Sequence, residues 1–356
     1  MRRKYIFCAS APATEAGRAI SELAAGFAAR GHDVILACER PAGENFPAPD
    51  ERMRLVTLRP GLVAGTRDLA RLLREERPDA ALSGSGASNL KLFVAAGLTG
   101  SLKRSAQSLH GYFQCEPELL NRLGALLLPV SSRIFARTVT ASDGLGSYLR
   151  RRFQASPERM LRIYNPVWAR SAQARHAGDL ARRAPVVLAC GGFTPDRNFP
   201  ALVRAFAHVA YPGARLALLG NGEDRPRIEA EVARLHLADR VTLADDSPEL
   251  WYEKARVFAS SAERAAFGVE LVEALAFGLP VVATRTAGAS EILEDGLYGA
   301  LVPARDDLAL ARAIEAALSH PGDPALRQAR AKDFSVKVAV DAYASLFAAI
   351  EAEAAS

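Results

Sequence analysis

Between Phe267 and Pro303 the chain reads FGVELVEALAFGLPVVATRTAGASEILEDGLYGALVP, and no other stretch restricts the possible fold so tightly. Val269, Val272, Leu275 and Ala276 recur at three- and four-residue spacing, which predicts a helix with one apolar stripe. Gly278 closes that helix and Pro280 follows it. Val281–Thr284 is short, apolar and β-branched, and predicts a buried strand. A glycine turn at Gly288 and a helix starting near Ser290 follow. Glu270 and Glu273 fall in the first turns of the 269–277 helix. The free N–H groups and positive dipole end there suit an anion. A carboxylate one turn in can accept two hydrogen bonds from a vicinal diol. Phosphate beside a diol is the outline of a nucleotide.

At 356 residues the chain suits two domains. No apolar run reaches the roughly 18 residues of a membrane span. The N-terminus MRRKYIFCASAPATEAG holds only a short apolar piece, which reads as a first strand, and a cytoplasmic protein is expected. Cys8, Cys38, Cys115 and Cys190 show no metal-ligand spacing, and buried small hydrophobes are the reading they support. Charge divides unevenly. Residues 1–168 carry 24 Lys and Arg against 15 Asp and Glu, and residues 169–356 carry 21 against 25. A basic half can face anionic lipid, nucleic acid or a phosphorylated acceptor. Aromatics are not interleaved with the arginines and no nucleic-acid motif accompanies them, so membrane or anionic acceptor is favoured.

Along the chain, strand Tyr5–Ser10, helix Thr14–Arg30 and strand Val34–Cys38 make a βαβ opening. A strand over Met53–Leu58 and a helix over Arg67–Arg77 follow, with Arg67, Arg71 and Arg74 on a solvated face. Strand Ala80–Leu82 leads into a loop, Ser83-Gly84-Ser85-Gly86, that lacks the Lys-Ser/Thr ending of a P-loop. His110 follows a strand at its carboxyl end, where open α/β sheets place ligand groups. Leu119–Phe135 reads as a core helix in preference to a membrane-docking one, because LGALLLPV shows little polar alternation. Asp143–Phe153 is a helix ending in three arginines that suit its dipole. Residues 169–184 read as a linker. Strand Pro185–Cys190 opens the second half, and Asn198 caps the helix that follows. Arg215–Leu219, Arg240–Leu243 and Val257–Ser260 are further strands.

The 267–303 stretch resembles the nucleotide-sugar-binding motif of the retaining group 1 glycosyltransferases (family 4, GT-B fold). That resemblance implies two Rossmann-like α/β/α domains with parallel sheets facing across a cleft. They would span 1–168 (acceptor domain) and 185–335 (donor domain), with the linker between and a C-terminal helix, 336–356, crossing back to the first. Weaker matches extend along nearly the whole chain, among them Gly31-His32-Asp33-Val34 and Asn165-Pro166-Val167. It further implies that Glu273 holds the ribose diol and that Phe267, Gly268, Val269 and Glu270 line the donor site. Arg197, in the donor-binding loop that runs from Gly191-Gly192 to Asn198, would clamp the diphosphate, Gly220-Asn221 would flank the base, and His110 would contact the donor sugar. Three places depart from the family. Ala265 stands where a first glutamate is usual, with Glu263 two residues earlier. Gly192 stands where an arginine is usual, and Thr14-Glu15 where a glycine pair is usual.

The function these residues imply is retaining, metal-independent transfer of a sugar from a nucleotide-diphosphate sugar, UDP favoured over GDP, to a glycan or lipid-linked acceptor in cell-envelope polysaccharide synthesis. No cofactor, metal or nucleic acid is expected, and peripheral contact with an anionic membrane is. The rival readings are a degenerate scaffold protein on the same fold, which the three departures would suit, and a nucleotide-sugar epimerase.

Overall fold

A computed structural model of the chain describes residues 2–11, 14–40, 51–113, 119–167 and 180–355. Cys115 and residues 169–179 of the expected linker lie outside them. The chain divides into two compact units, Met1–Val167 with Ser335–Ser356, and Trp168–Phe334.

The first unit is built on a seven-stranded parallel sheet. Its strands are β1 (Lys4–Ala9), β2 (Asp33–Cys38), β3 (Met53–Thr57), β4 (Ala80–Gly84), β5 (Ser105–Leu109), β6 (Arg137–Thr140) and β7 (Met160–Arg162), in the order β3-β2-β1-β4-β5-β6-β7. Helices α1 (Glu15–Ala29), α2 (Leu62–Glu76), α3 (Gly86–Thr99), α4 (Leu119–Ile134) and α5 (Asp143–Phe153) connect them. The second unit has a six-stranded parallel sheet, β8 (Val186–Cys190), β9 (Arg215–Leu219), β10 (Val241–Ala244), β11 (Val257–Ser260), β12 (Val281–Thr284) and β13 (Ala300–Val302), ordered β10-β9-β8-β11-β12-β13. Its helices are α6 (Phe199–Ala207), α7 (Arg225–Arg234), α8 (Glu249–Lys254), α9 (Val269–Ala276), α10 (Ala287–Ile292), α11 (Asp307–Ser319) and α12 (Pro324–Ala331). The last helix, α13 (Val336–Ala355), belongs to the first unit. Phe347 stacks on Tyr5 with centroids 4.9 Å apart and meets Phe27 at 5.4 Å. Gly26 lets α13 approach α1, since a Cβ there would stand 2.5 Å from Val340 Cγ2.

In each sheet the connections run opposite ways from one central pair, β1 and β4 in the first, β8 and β11 in the second. Such a switch point opens a crevice outside the carboxyl ends of its strands, where α/β sheets bind ligands.

Four expectations need correction. The segment from Ser83 to Gly86 is no free loop: β4 runs to Gly84, and Gly86 already starts α3, a helix the pattern of apolar residues did not reveal. Gly86 is small because α4 crosses there, 2.9 Å from Asn121 O for an added Cβ. Gly288 lies inside α10, not in a turn before it. Thr286 caps that helix, accepting from Ala289 N at 3.1 Å, and a Cβ on Gly288 would stand 1.8 Å from Phe267 O. Asn198 occupies the N-cap position of α6 with φ 48°, but its side chain makes no cap bond and donates instead to Glu263. Finally, α4 is not a core helix. Its buried face includes Asn121, Ser131 and Ser132, and Leu119, Leu123, Leu126 and Leu127 are exposed.

Candidate functional site

The loops after β8 and β11 meet at the switch point of the second unit and are stitched together by backbone. Glu263 N donates to Asp196 O at 2.8 Å, and Ser261 Oγ donates to the carbonyls of Arg197 and Asn198 at 3.1 and 2.9 Å. Two glycines bring the loop after β9 against them. A Cβ on Gly220 would lie 2.0 Å from Gly191 O, and one on Gly222 would lie 2.4 Å from Phe193 O. Both have positive φ, 143° and 155°, which glycine alone adopts without strain. Gly191, Gly192, Arg197, Gly220 and Asn221 therefore share one rim. Asn221 and Gly192 are exposed on it.

Arg197 reaches across to the first turn of α9, where its guanidinium forms an ion pair with the carboxylate of Glu270. Glu270 is buried and Arg197 largely so. Both the cation and the helix N-terminus thus face one anionic group, supplied by the chain itself. The sequence pointed to Glu270 for its backbone N–H, and its side chain is the part that engages Arg197. Phe267 and Gly268 are buried ahead of α9, with Gly268 at φ 136°, while Val269 is partly exposed.

Glu273, one turn on, accepts from Tyr252 Oη at 2.9 Å. Tyr252 is buried, stacked on Phe277 with centroids 5.0 Å apart. Its hydroxyl also lies 3.0 Å from Cys190 Sγ. Burial, and after it the thiol and carboxylate beside it, push the Tyr252 phenol well above its ordinary range. Burial also pushes the Cys190 thiol up, with Glu273 adding to it. Neither group ionises near neutral pH, so Tyr252 remains a donor that fixes the Glu273 rotamer. Nothing in the sequence singled out Tyr252, which sits 21 residues upstream on a short helix.

Ala265 carries no carboxylate, and Glu263 does not replace it at the Arg197 guanidinium. Glu263 accepts from Arg305 Nη2 at 2.8 Å and Asn198 Nδ2 at 2.9 Å, and Arg305 holds its carboxyl below the usual range.

In the first unit His110 follows β5, beside the β1/β4 switch point. Its Nδ1 lies 2.6 Å from Asn165 Oδ1 and its Nε2 lies 2.9 Å from Ser108 Oγ. Asn165 Nδ2 in turn donates to Glu15 Oε1 at 3.3 Å, so the departure at Thr14-Glu15 is wired to the histidine. Thr14 caps α1, accepting from Gly17 N at 3.0 Å. With Asn165 Nδ2 turned to Glu15, its Oδ1 accepts from His110 Nδ1–H, leaving Nε2 as the acceptor of the neutral ring. Burial lowers the His110 pKa to about 4, with the Asn165 bond opposing it.

That shift has a direction for stability. The unfolded chain takes up a proton on this histidine below about pH 6.5, and the folded chain resists until about 4. Stability from the neutral ring is complete above 6.5 and falls as the pH drops toward 4. The full loss is on the order of 3 kcal/mol. Urea unfolding at stepped pH should show this acid loss, and His110→Gln should flatten it.

Among the described residues no group of three His, Cys, Asp or Glu could hold a metal ion, and no helix is long and apolar enough to cross a membrane.

Residues 184–320 match the sequence model of the glycosyl transferases group 1, and residues 16–168 that of glycosyltransferase family 4. The lipopolysaccharide core biosynthesis glycosyltransferase LpsE of Rhizobium meliloti is 33% identical over 180 residues, 48% of this chain and 52% of LpsE. The chain spans about half the length of the curated relatives it matches. Among solved structures, a glycosyltransferase from Rickettsia africae superimposes with TM-score 0.81 at 16% identity, over 98% of both chains. HepE of Anabaena, crystallised with UDP and glucose, gives 0.78 at 17% identity, over 98% of this chain and 100% of its own. These identities speak for the fold.

Proposed function

The chain belongs to the group 1 glycosyltransferases of family 4, and we propose that it is an active, retaining enzyme that moves a sugar from a nucleotide-diphosphate sugar to a cell-envelope glycan or lipid-linked acceptor. The observation that carries this reading is the pairing of Arg197 with a carboxylate at the N-terminus of α9, one turn before Glu273. A diphosphate arriving there exchanges with Glu270 for the guanidinium and the free N–H groups of Gly268, Val269 and Glu270. Arg197 receives the charge that grows on the leaving diphosphate, and preorganised donors of this kind supply a large catalytic term. Glu273, its rotamer set by Tyr252, accepts both hydroxyls of the ribose. The Gly220-Asn221 turn flanks the base. In the first unit the neutral His110 ring, held by Ser108 and Asn165, stands at the carboxyl end of β5 as a hydrogen-bonding group. Attack from the leaving-group face needs no side-chain nucleophile, and the chemistry proceeds without a metal.

UDP is the favoured nucleotide, a reading supported by the likeness to HepE, which was crystallised with UDP and glucose. A cell-envelope acceptor is supported by the likeness to LpsE. The basic first unit would work against an anionic membrane on the cytoplasmic side.

The scaffold reading loses ground on one point. A degenerate site keeps no reason to hold Arg197, Glu270, Tyr252 and Glu273 in one hydrogen-bonded row, yet all four are so held. Retention is tested by slow hydrolysis of UDP-glucose in the absence of acceptor, followed by proton NMR of the anomeric region. The α-anomer should be released first. Initial release of the β-anomer would overturn retention, and an unaltered donor with no product would favour the scaffold.

A further inference from the structure

The helix α4 is turned inside out with respect to water. Its inward face carries Asn121, Ser131 and Ser132 beside Ala125 and Leu128. Those polar groups are matched: Asn121 Oδ1 accepts from Ala87 N at 2.6 Å, Ser131 Oγ donates to Gln107 at 3.3 Å, and Ser132 Oγ accepts from Ser156 N at 2.9 Å. Its outward face carries Leu119, Leu123, Leu126, Leu127, Val130 and Ile134, of which Leu119 and Leu126 are 70% and 72% exposed. Their spacing keeps them on one stripe of the helix. Val94 and Leu98 of the adjoining α3 are exposed as well. Hydrogen bonds on the polar side thus fix an orientation that leaves the leucines out, and a patch of this kind marks an interaction surface.

Charge decides what covers it. Arg122 and Arg133 are exposed on α4 itself, and Lys103 and Arg104 are exposed just past the end of α3. The described residues from 80 to 142 include no Asp or Glu. A second copy of this chain laid on the stripe would bring arginines against arginines with no carboxylate between them among the described residues. An apolar stripe flanked, among the described residues, by Arg122, Arg133, Lys103 and Arg104 matches the boundary between anionic headgroups and acyl chains.

We propose that α4 is a membrane anchor: its leucine face enters the acyl boundary of an anionic bilayer while Arg122, Arg133, Lys103 and Arg104 meet the headgroup phosphates. This rests on the reading above that the first unit works at an anionic membrane, and it replaces a diffuse basic attraction with one helix. Docked this way, the enzyme meets a lipid-linked acceptor at the surface where that acceptor resides.

The test is co-sedimentation of the full chain with vesicles of phosphatidylcholine alone and of phosphatidylcholine mixed with phosphatidylglycerol. The expected result is binding to the mixed vesicles only, reduced by added salt. Leu126→Ser with Val130→Ser should lower the partition constant by about tenfold or more, since both side chains leave the acyl region. The thermal midpoint should hold, because both side chains already face out. A comparison variant, Arg67→Gln with Arg71→Gln and Arg74→Gln on α2, should bind nearly as the parent does. Binding lost in the α2 variant but kept in the α4 variant would overturn the α4 anchor and leave a basic membrane-facing unit standing. Absence of binding to either vesicle would overturn both. A parent dimer in light scattering that the α4 variant dissociates would assign the stripe to a second copy and also overturn the proposal.

Discussion

Arg197→Ala should lower kcat by about 10²- to 10³-fold, the loss expected when one preorganised donor to a developing anion is removed. Two effects combine. The leaving diphosphate loses its side-chain cation, and the Glu270 carboxylate stays behind at the N-terminus of α9 without its partner. An unneutralised carboxylate there repels the anion that the helix end would otherwise attract. This second effect makes the prediction specific to this chain. Adding Glu270→Gln to Arg197→Ala should recover part of the loss, because it removes the repulsion and leaves the N–H groups. Arg197→Lys should retain more activity than Arg197→Ala, since it keeps the charge while giving up the bidentate grip. Initial rates with a UDP-sugar at saturating and limiting concentration separate kcat from KM for all four proteins. A double variant no better than the single one would mean that Glu270 is not in the way of the donor.

The largest expected loss of stability lies in the first unit. Lys91 on α3 is 2% exposed and forms an ion pair with Glu39, which follows β2. Lys91→Met leaves that carboxylate without compensation, and breaking such a pair from one side costs about 3–5 kcal/mol. Against a total of about 5–15 kcal/mol for a domain, that is enough to change expression and thermal midpoint. Lys91→Met with Glu39→Leu should restore most of the loss, because two apolar groups replace a pair that had to be desolvated. Thermal unfolding followed by circular dichroism checks both. A single variant within 1 kcal/mol or so of the parent would show that the pair is solvated in solution.

The two parallel sheets were legible because their strands are short apolar runs separated by helices of clear period. Val257–Ser260 and Val281–Thr284 match the residues read from sequence alone. What escaped had physical reasons. Helix α3 is apolar nearly all round, so its residues offer no stripe to count, and the Gly/Ser run before it reads as a loop. Helix α4 has a stripe, but the stripe faces out, and periodicity says which residues share a face without saying which face is inward. Gly288 reads as a turn in the sequence because a glycine between strand and helix usually is one. Its actual role is to let α10 lie against the carbonyl of Phe267.

The candidate site divides in the same way. Arg197, Glu273 and His110 stood out through motif and strand-end position, and the structure puts the first two at one switch point. Their partners did not stand out. Tyr252 and Arg305 are ordinary residues in sequence, Asn165 stands out there only as part of Asn165-Pro166-Val167, and only packing brings the three to Glu273, Glu263 and His110. The loss of a carboxylate at Ala265 was plain from the sequence. That Glu270 offers Arg197 a carboxylate instead depends on packing between segments 73 residues apart in sequence.

The second unit should bind a nucleoside diphosphate through Arg197 and Glu273. Titration calorimetry of the full chain with UDP, GDP and ADP tests it most directly, with Arg197→Ala and Glu273→Ala alongside. Saturable binding of UDP in preference to the other two is expected, weakened by each substitution, with the thermal midpoint little changed by Glu273→Ala. Failure of all three nucleotides to bind the parent protein, or binding that survives both substitutions, would contradict it.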